Sequence, residues 1–154
     1  MGKLAKFKSR IRRAFNDAVY PGDDKIIKNS QHYEIEDLHQ DFDGKRWQEI
    51  SLAIAEPWHN GTMLFTPEGF RYYLPAFLLA DLHENSVQIG SYLIYRFEPP
   101  VEPEALAQFL ETMNGFSDAQ KSVISEWIKR FFERNPIYDQ HHGEVTKAFW
   151  NIAN

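Results

Sequence analysis

The segment spanning residues 66–82, TPEGFRYYLPAFLLADL, constrains the fold most, because it predicts a helix that is apolar on nearly every side. Its start carries three helix-initiation signals: Thr66 suits the N-cap, Pro67 the first helical position and Glu68 the first turn. Such a helix must be buried on most sides, so we predict a central helix around which the others pack. Its apolar residues recur at helical spacing at Phe70, Tyr73, Leu74, Phe77, Leu78 and Leu82, with Tyr72, Ala76 and Leu79 off that face.

Pro75 lies in the middle of this segment and lacks the backbone N–H that an interior helical residue donates. Its ring also clashes with the carbonyl of Arg71, so we expect a kink or a break there. The segment is too short and too interrupted to span a membrane, which takes about 20 apolar residues. A buried core helix is the favoured interpretation, and a ligand pocket at the Pro75 kink is the alternative.

Composition indicates one globular domain over residues 1–154, because 43% of the residues are hydrophobic and 25% are charged. The chain has no cysteine, which excludes disulfides, thiol catalysis and cysteine metal sites. Residues 1–13 carry six bases and no acid, whereas residues 14–154 carry 11 bases and 22 acids, a net charge of −11. An acidic body suits a basic protein partner. No signal-peptide pattern precedes it, so a cytoplasmic location is expected.

Helical spacing of apolar residues predicts the flanking elements. Residues 92–95 could instead form a strand, and residues 52–55 could pair with residues 62–65 in a hairpin around the Asn60-Gly61 turn. Helix is favoured in both places, so the predicted fold is a mainly α bundle around a Pro-kinked central helix, with a small β-hairpin as the open alternative. The predicted helices besides the central one cover residues 4–19, 30–40, 46–54, 86–97, 103–114, 118–134 and 143–152.

An acidic stretch in and after the second predicted helix is the most suggestive surface feature. Such a cluster attracts a basic partner and speeds the encounter, although acidic runs also serve as solvated faces. Trp58 is a further candidate, since tryptophan is enriched in binding hot spots, but it could equally lie in the core. The candidate partner-binding residues are therefore Glu34, Glu36, Asp37, Asp41, Asp43 and Trp58.

Catalytic and metal-binding patterns are weak. No phosphate-binding loop, dinucleotide fingerprint or nucleophile elbow occurs in the sequence. On a helix, His32, Glu36 and His39 would share one face that could hold a metal, but no third histidine follows at a fixed offset. His141 and His142 lie in a polar stretch without convergent partners. We therefore predict no catalytic residue, no metal and no cofactor.

The chain resembles a bacterial family of small proteins of unassigned function in two longer segments, TPEGFRYYLPAFLLADL and FSDAQKSVISEWIKRFF, and in two shorter ones, IRRAF and DGKRW. The resemblance spans most of the chain and brings no catalytic residues with it. It implies a compact cytoplasmic domain of mainly helical type. Small acidic bacterial proteins without cysteine often look like immunity proteins, which neutralise a cognate toxin, and this last step is an analogy.

Three functions follow from these features. The first is a protein-binding module, specifically an immunity protein that covers a basic toxin domain. The second is an enzyme or small-ligand binder with a pocket near Pro75. The third is a protein that meets nucleic acid or a membrane through the basic first helix. The lack of a catalytic pattern favours the first function, and a toxin gene immediately upstream would support it.

Overall fold

Helices and short helical turns build the fold, and no strand occurs within residues 1–153, which are the residues that the computed structural model describes. The predicted mainly α fold class is confirmed. The helices are α1 (Lys3–Ala14), α2 (Ile35–Phe42), α3 (Leu52–Ala55), α4 (Pro67–Asp81), α5 (Ile89–Leu93), α6 (Pro103–Asn114), α7 (Asp118–Arg134), α8 (Pro136–Tyr138) and α9 (Glu144–Trp150). Short 3-10 turns lie at Asp23–Lys25, Trp47–Glu49, Glu56–Trp58, Gly61–Leu64 and Ile94–Phe97, and a π-helical turn, Asp139–Gly143, joins α8 to α9.

Helix α4 is the central helix, as predicted. The Thr66 hydroxyl accepts a hydrogen bond from the Gly69 N–H at 2.9 Å, and Pro67 occupies the first turn. Ten of the fifteen residues of α4 are buried, because α1, α3, α5 and α6 all pack against it. The helix continues through the buried Pro75 without a break. Burial of the proline ring in the core offsets the backbone hydrogen bond that proline cannot make.

Aromatic side chains tie α2 and the segment before α4 to the first half of α4. The ring of Phe42 lies 4.9 Å from that of Tyr73 and 5.2 Å from that of Phe65, measured between centroids. The Tyr73 hydroxyl lies 2.8 Å from the carbonyl oxygen of Phe42 and 2.6 Å from that of Lys45, to which it donates. Burial raises the pKa of Tyr73, so this phenol stays protonated and remains a donor. The end of α2 is thereby fixed on α4.

The first turn of α4 packs directly against backbone at Ile26. A methyl group built on Gly69 would lie 2.1 Å from the carbonyl oxygen of Ile26, so only glycine fits. The same carbonyl accepts a hydrogen bond from the N–H of Thr66 at 2.8 Å, and the N–H of Lys28 donates to the carbonyl of Leu64 at 2.8 Å. The chain around residues 26–28 is therefore held against the start of α4 by backbone contacts, to which the Thr66 hydroxyl adds a hydrogen bond to the Ile26 carbonyl at 3.1 Å.

Helix α7 closes the other side of the core. It starts with a capping box, a pattern that Ser117 and Gln120 form in the sequence: the hydroxyl of Ser117 accepts from the N–H of Gln120, and the side chain of Gln120 accepts from the N–H of Ser117. Trp127 donates its indole N–H to the buried Asp81 at the end of α4, at 2.9 Å. Burial raises the pKa of Asp81, and the nearby Arg134 partly opposes that shift.

Helices α1 and α2 are shorter than predicted. Helix α1 ends at Ala14 instead of residue 19, because its last carbonyls meet side chains from elsewhere: Gln120 donates to Ala14 and the Trp47 indole to Phe15. Helix α2 begins at Ile35 instead of residue 30. Side chains compete for the backbone there, since the Ser30 hydroxyl accepts from the N–H of His32.

The region of residues 46–65 differs most from the prediction. The continuous third helix over residues 46–54 is wrong, because extended backbone at Ile50 and Ser51 separates the 3-10 turn Trp47–Glu49 from α3. The alternative hairpin between residues 52–55 and 62–65 is also wrong, since Phe65 forms an isolated antiparallel bridge with Ile27. Residues 89–97 are helical as favoured, first as α5 and then as a 3-10 turn, so the strand alternative is wrong.

We expect Phe77→Ala to destabilise the protein by about 3–5 kcal/mol, since the side chain is 1% exposed and packs against Phe42 and Phe65. Urea unfolding followed by circular dichroism measures the change. Tyr33→Ala is the matched control, because Tyr33 is an exposed aromatic residue whose removal should cost little. Equal stability of Phe77→Ala and the unsubstituted protein would contradict the central position of α4.

A second prediction concerns the close approach at Gly69. Gly69→Ala should destabilise the protein by about 1–3 kcal/mol or more, because the added methyl group meets a backbone carbonyl that cannot move aside easily. Gly2→Ala adds the same group where nothing lies within 4 Å, and its cost should stay below about 1 kcal/mol. Thermal unfolding of both variants is the measurement, and equal melting temperatures would refute the proposed contact.

Candidate partner-binding surface

Helix α2 brings two acids of the predicted cluster to the surface without a partner. Glu36 and Asp37 lie in its first turn and are exposed. Within residues 1–153, neither carboxylate forms an ion pair or a side-chain hydrogen bond. Acids in the first turn also interact favourably with the helix dipole, by about 0.3–1 kcal/mol each. These two side chains are therefore free to meet a partner while they also favour the start of α2.

The other three acids of the predicted cluster have partners inside the molecule. Asp43 accepts from Nδ1 of His39 at 2.8 Å, and Asp41 accepts from the indole N–H of Trp58 at 2.6 Å. Glu34 lies 3.9 Å from Nδ1 of His32, and both side chains are partly exposed. The structure thus divides the acidic stretch into two unpaired acids at the start of α2, two acids that pair with nearby histidines, and Asp41, which joins α2 to Trp58.

Trp58 belongs to the core. Its side chain is 8% exposed, and Gly61 lies so close that a methyl group built on it would be 2.8 Å from the indole ring. The indole N–H is already used by Asp41. Trp58 therefore presents almost no surface to a partner, and its role is to anchor the turn Glu56–Trp58 to α2.

Tyr33 is a surface residue. The sequence predicts it as an apolar member of the helix over residues 30–40, but α2 begins at Ile35 and leaves the ring 85% exposed. The ring stacks on His32, with centroids 4.7 Å apart, and Glu36 and Asp37 follow in the first turn of α2. We name Tyr33, Glu36 and Asp37 the α2 entry surface.

The far end of α2 is held by a hydrogen-bond network. Gly44, with a φ of 76° in the left-handed region, follows the helix and donates its N–H to the hydroxyl of Tyr20 at 2.7 Å. That hydroxyl donates in turn to Asp23. Burial, and then the bond to Asp23, raise the pKa of Tyr20 to about 12, so the phenol is neutral near pH 7. The α2 entry surface therefore sits on a helix that is fixed at its other end.

The arrangement offers no metal centre. Among residues 1–153, no three His, Asp or Glu side chains converge closely enough to hold a metal ion. His32 precedes α2, so His32, Glu36 and His39 do not share a helix face. His142 lies in the π-helical turn, with its Nδ1 3.3 Å from a carboxylate oxygen of Glu98.

Pro75 itself is buried, and a cleft lies next to it along α4. Its side chain is buried inside α4, between other core residues. An open cleft of about 240 Å³ lies beside its neighbour Ala76, with Arg12 and His83 as the charged or titratable groups of its lining. A second cavity, of about 250 Å³, lies away from Pro75 and beside Arg96.

The basic first helix is partly neutralised by the fold. Phe7 and Ile11 are buried, and α1 packs on α7 and α4 through this face. Arg10 forms an ion pair with Glu126, whereas Arg12 and Arg13 remain exposed. No helix in the described part of the chain is both long enough and apolar enough to cross a membrane.

Comparison of the chain with protein-family models, with curated proteins and with solved structures finds no match. The resemblance to a bacterial family, which rests on residues 66–82 and 116–132, therefore stays a prediction.

Alanine substitutions on α2 should separate the structural acids from the free ones. Asp41→Ala leaves the mostly buried indole N–H of Trp58 without a partner, which should cost about 1–3 kcal/mol of stability. Asp37→Ala, one turn earlier on the same helix, should cost at most about 1 kcal/mol. Urea unfolding of both variants measures the difference, and equal costs would mean that the Asp41–Trp58 contact contributes nothing.

Proposed function

We propose that this protein is a protein-binding module, and specifically an immunity protein that neutralises a cognate bacterial toxin by covering a basic surface of it. The observation that carries the proposal is the α2 entry surface, where a tyrosine that is 85% exposed precedes two exposed acids within one turn of the chain. Neither acid has an ion-pair partner within the part of the chain that the structure describes.

The chemistry of this surface suits direct binding. Tyrosine supplies a large contact area with few rotatable bonds, and it is enriched among the residues that dominate binding energy. Unpaired carboxylates next to it attract a basic partner over a distance of roughly one Debye length, about 8 Å at physiological salt. The α2 entry surface thus combines an aromatic contact residue with charged neighbours, which is the composition of a binding hot spot with a charged rim.

The support beneath the surface also suits binding. Asp41 holds the body of α2 to Trp58, and Tyr73 holds its last turn to α4. A surface on a fixed helix loses little conformational entropy when a partner docks. The net charge of −11 over residues 14–154 favours a basic partner in addition.

A purely structural explanation accounts for only part of this surface. The two acids stabilise the start of α2 through the helix dipole, which explains their place in the first turn. It does not explain Tyr33, whose ring contributes little to the core at this exposure and contacts mainly His32. An exposed aromatic ring beside unpaired charges is the feature that a binding function explains and folding does not.

The test measures association with a partner isolated from the native host by pull-down. Reversal of Glu36 and Asp37 to Lys should lower the association rate about tenfold at low salt and flatten its salt dependence, because rim charges act mainly on encounter. Glu111→Lys with Glu133→Lys changes the net charge equally through exposed acids on α6 and α7 and should leave the rate nearly unchanged.

Tyr33→Ala tests the aromatic part of the same surface. It should raise the dissociation rate about fivefold or more and leave the association rate nearly unchanged, as expected when a contact residue is removed. Protection of cells that express the toxin should fall in parallel. Unaltered binding of both the Tyr33 variant and the double reversal, with melting temperatures intact, would place the interface elsewhere.

A further inference from the structure

A cavity of about 250 Å³ lies between the turn Ile94–Phe97, the start of α4 and helix α6. Its volume corresponds to roughly eight water molecules at about 30 Å³ each, enough for one small organic molecule. Apolar and charged groups share its lining. Phe65, Phe109 and Met113 form apolar walls, and the charged groups are Lys28, Arg96 and Glu98.

Arg96 is a cation without a countercharge. Within residues 1–153 its guanidinium forms no ion pair, and its Nε–H is buried without any hydrogen-bond partner. The guanidinium lies over the ring of Phe70, with Cζ 5.0 Å from the centroid, which fixes its plane. Burial lowers the pKa of Arg96, but arginine remains charged near pH 7. A buried donor on a charged group is costly unless something accepts from it.

Lys28 adds a second cation at the same cavity. Its ammonium group has no acidic partner among the described residues either, and it stands on the more exposed side of the lining. Burial, and then repulsion from Arg96, lower the pKa of Lys28. Two cations that face one space without an anion between them repel each other, and a bound anion relieves the repulsion at both.

Glu98 also lines the cavity, but it is held by another part of the chain. Nδ1 of His142 lies 3.3 Å from a carboxylate oxygen of Glu98, and the His142 ring packs edge-on against Tyr95 with centroids 5.0 Å apart. His142 belongs to the π-helical turn Asp139–Gly143, and such turns occur frequently at functional sites. Glu98 therefore pairs with His142 and forms no ion pair with Arg96, so the guanidinium is available to bind an anion.

We propose that this cavity binds a small organic anion, whose carboxylate or phosphate oxygens pair with Arg96 and Lys28 and whose apolar body contacts Phe65 and Phe109. The planar guanidinium suits two oxygens of one oxyanion, and Lys28 adds a point charge at the more open side. The apolar walls then select anions that carry a ring or a branched chain over inorganic ions. This site is separate from the α2 entry surface and does not depend on the function proposed for it.

The test is a titration of the full chain, labelled with ¹⁵N, with benzoate, phenyl phosphate, inorganic phosphate and uncharged benzamide. We expect the Arg96 side-chain resonances to move and saturate with benzoate or phenyl phosphate, because the guanidinium gains a countercharge. Benzamide should bind at least tenfold more weakly than benzoate, since it lacks the charge. Inorganic phosphate should bind more weakly than phenyl phosphate, since it lacks the apolar body.

Three variants and one control locate the site. Arg96→Gln should weaken binding of the better probe by about tenfold or more, and Lys28→Gln by a smaller factor. Ala105→Leu, which fills the cavity from α6, should block binding without any change of charge. Arg13→Gln removes an exposed cation outside this cavity and should leave binding unchanged.

Several outcomes would overturn the proposal. One is the absence of saturable binding for benzoate and both phosphates, and another is unchanged affinity in the Lys28 and Ala105 variants. Equal affinity for benzamide and benzoate would show that the negative charge of the ligand does not contribute to binding. Equal affinity for the two phosphates would show that its apolar body does not contribute either. If Arg96→Gln does not fold, the Lys28 and Ala105 variants decide.

Discussion

Burial of α4 on nearly all its sides is the constraint on which the rest of the structure depends. A helix with so little polar surface needs cover from several directions, and α1, α3, α5 and α6 provide it. At Gly69 the packing is especially close, because the backbone of Ile26 lies where the side chain of any other residue would be. Segments far apart in the chain are thus fixed around one helix by the need to exclude water from it.

Polar groups that this burial removes from water are mostly paired, and the pairs determine how the outer elements sit. Tyr73 donates to the end of α2, Trp127 donates to Asp81, and Trp47 donates to the end of α1. Each bond joins elements that are distant in sequence, so it fixes their relative position as well as satisfying a buried donor. Arg96 and Thr146 are the exceptions within residues 1–153, since the buried Nε–H of Arg96 and the buried hydroxyl of Thr146 lack such a partner.

The two proposed sites arise from opposite departures from this pattern. At the α2 entry surface, an aromatic ring that could have been buried is left in water beside unpaired acids. At the Arg96 cavity, two cationic groups form no ion pair within residues 1–153, because the acid that shares their lining, Glu98, contacts His142. The exposed ring contributes little to the stability of the folded state, and the unpaired cations lower it. A bound partner at the first site and a bound ligand at the second would account for these features.

Local signals in the sequence determined the parts of the fold that depend on neighbouring residues. The N-cap at Thr66 and the capping box at Ser117 fixed the starts of α4 and α7, because a cap needs only a side chain and an N–H three residues away. The acidic stretch was visible as a candidate surface for the same reason. Only the tertiary structure decided which acids stay free, since Asp41 is taken by Trp58, seventeen positions along the chain. It alone also showed Tyr33 exposed and Arg96 unpaired, because burial and pairing depend on contacts between residues distant in sequence, which local periodicity does not encode.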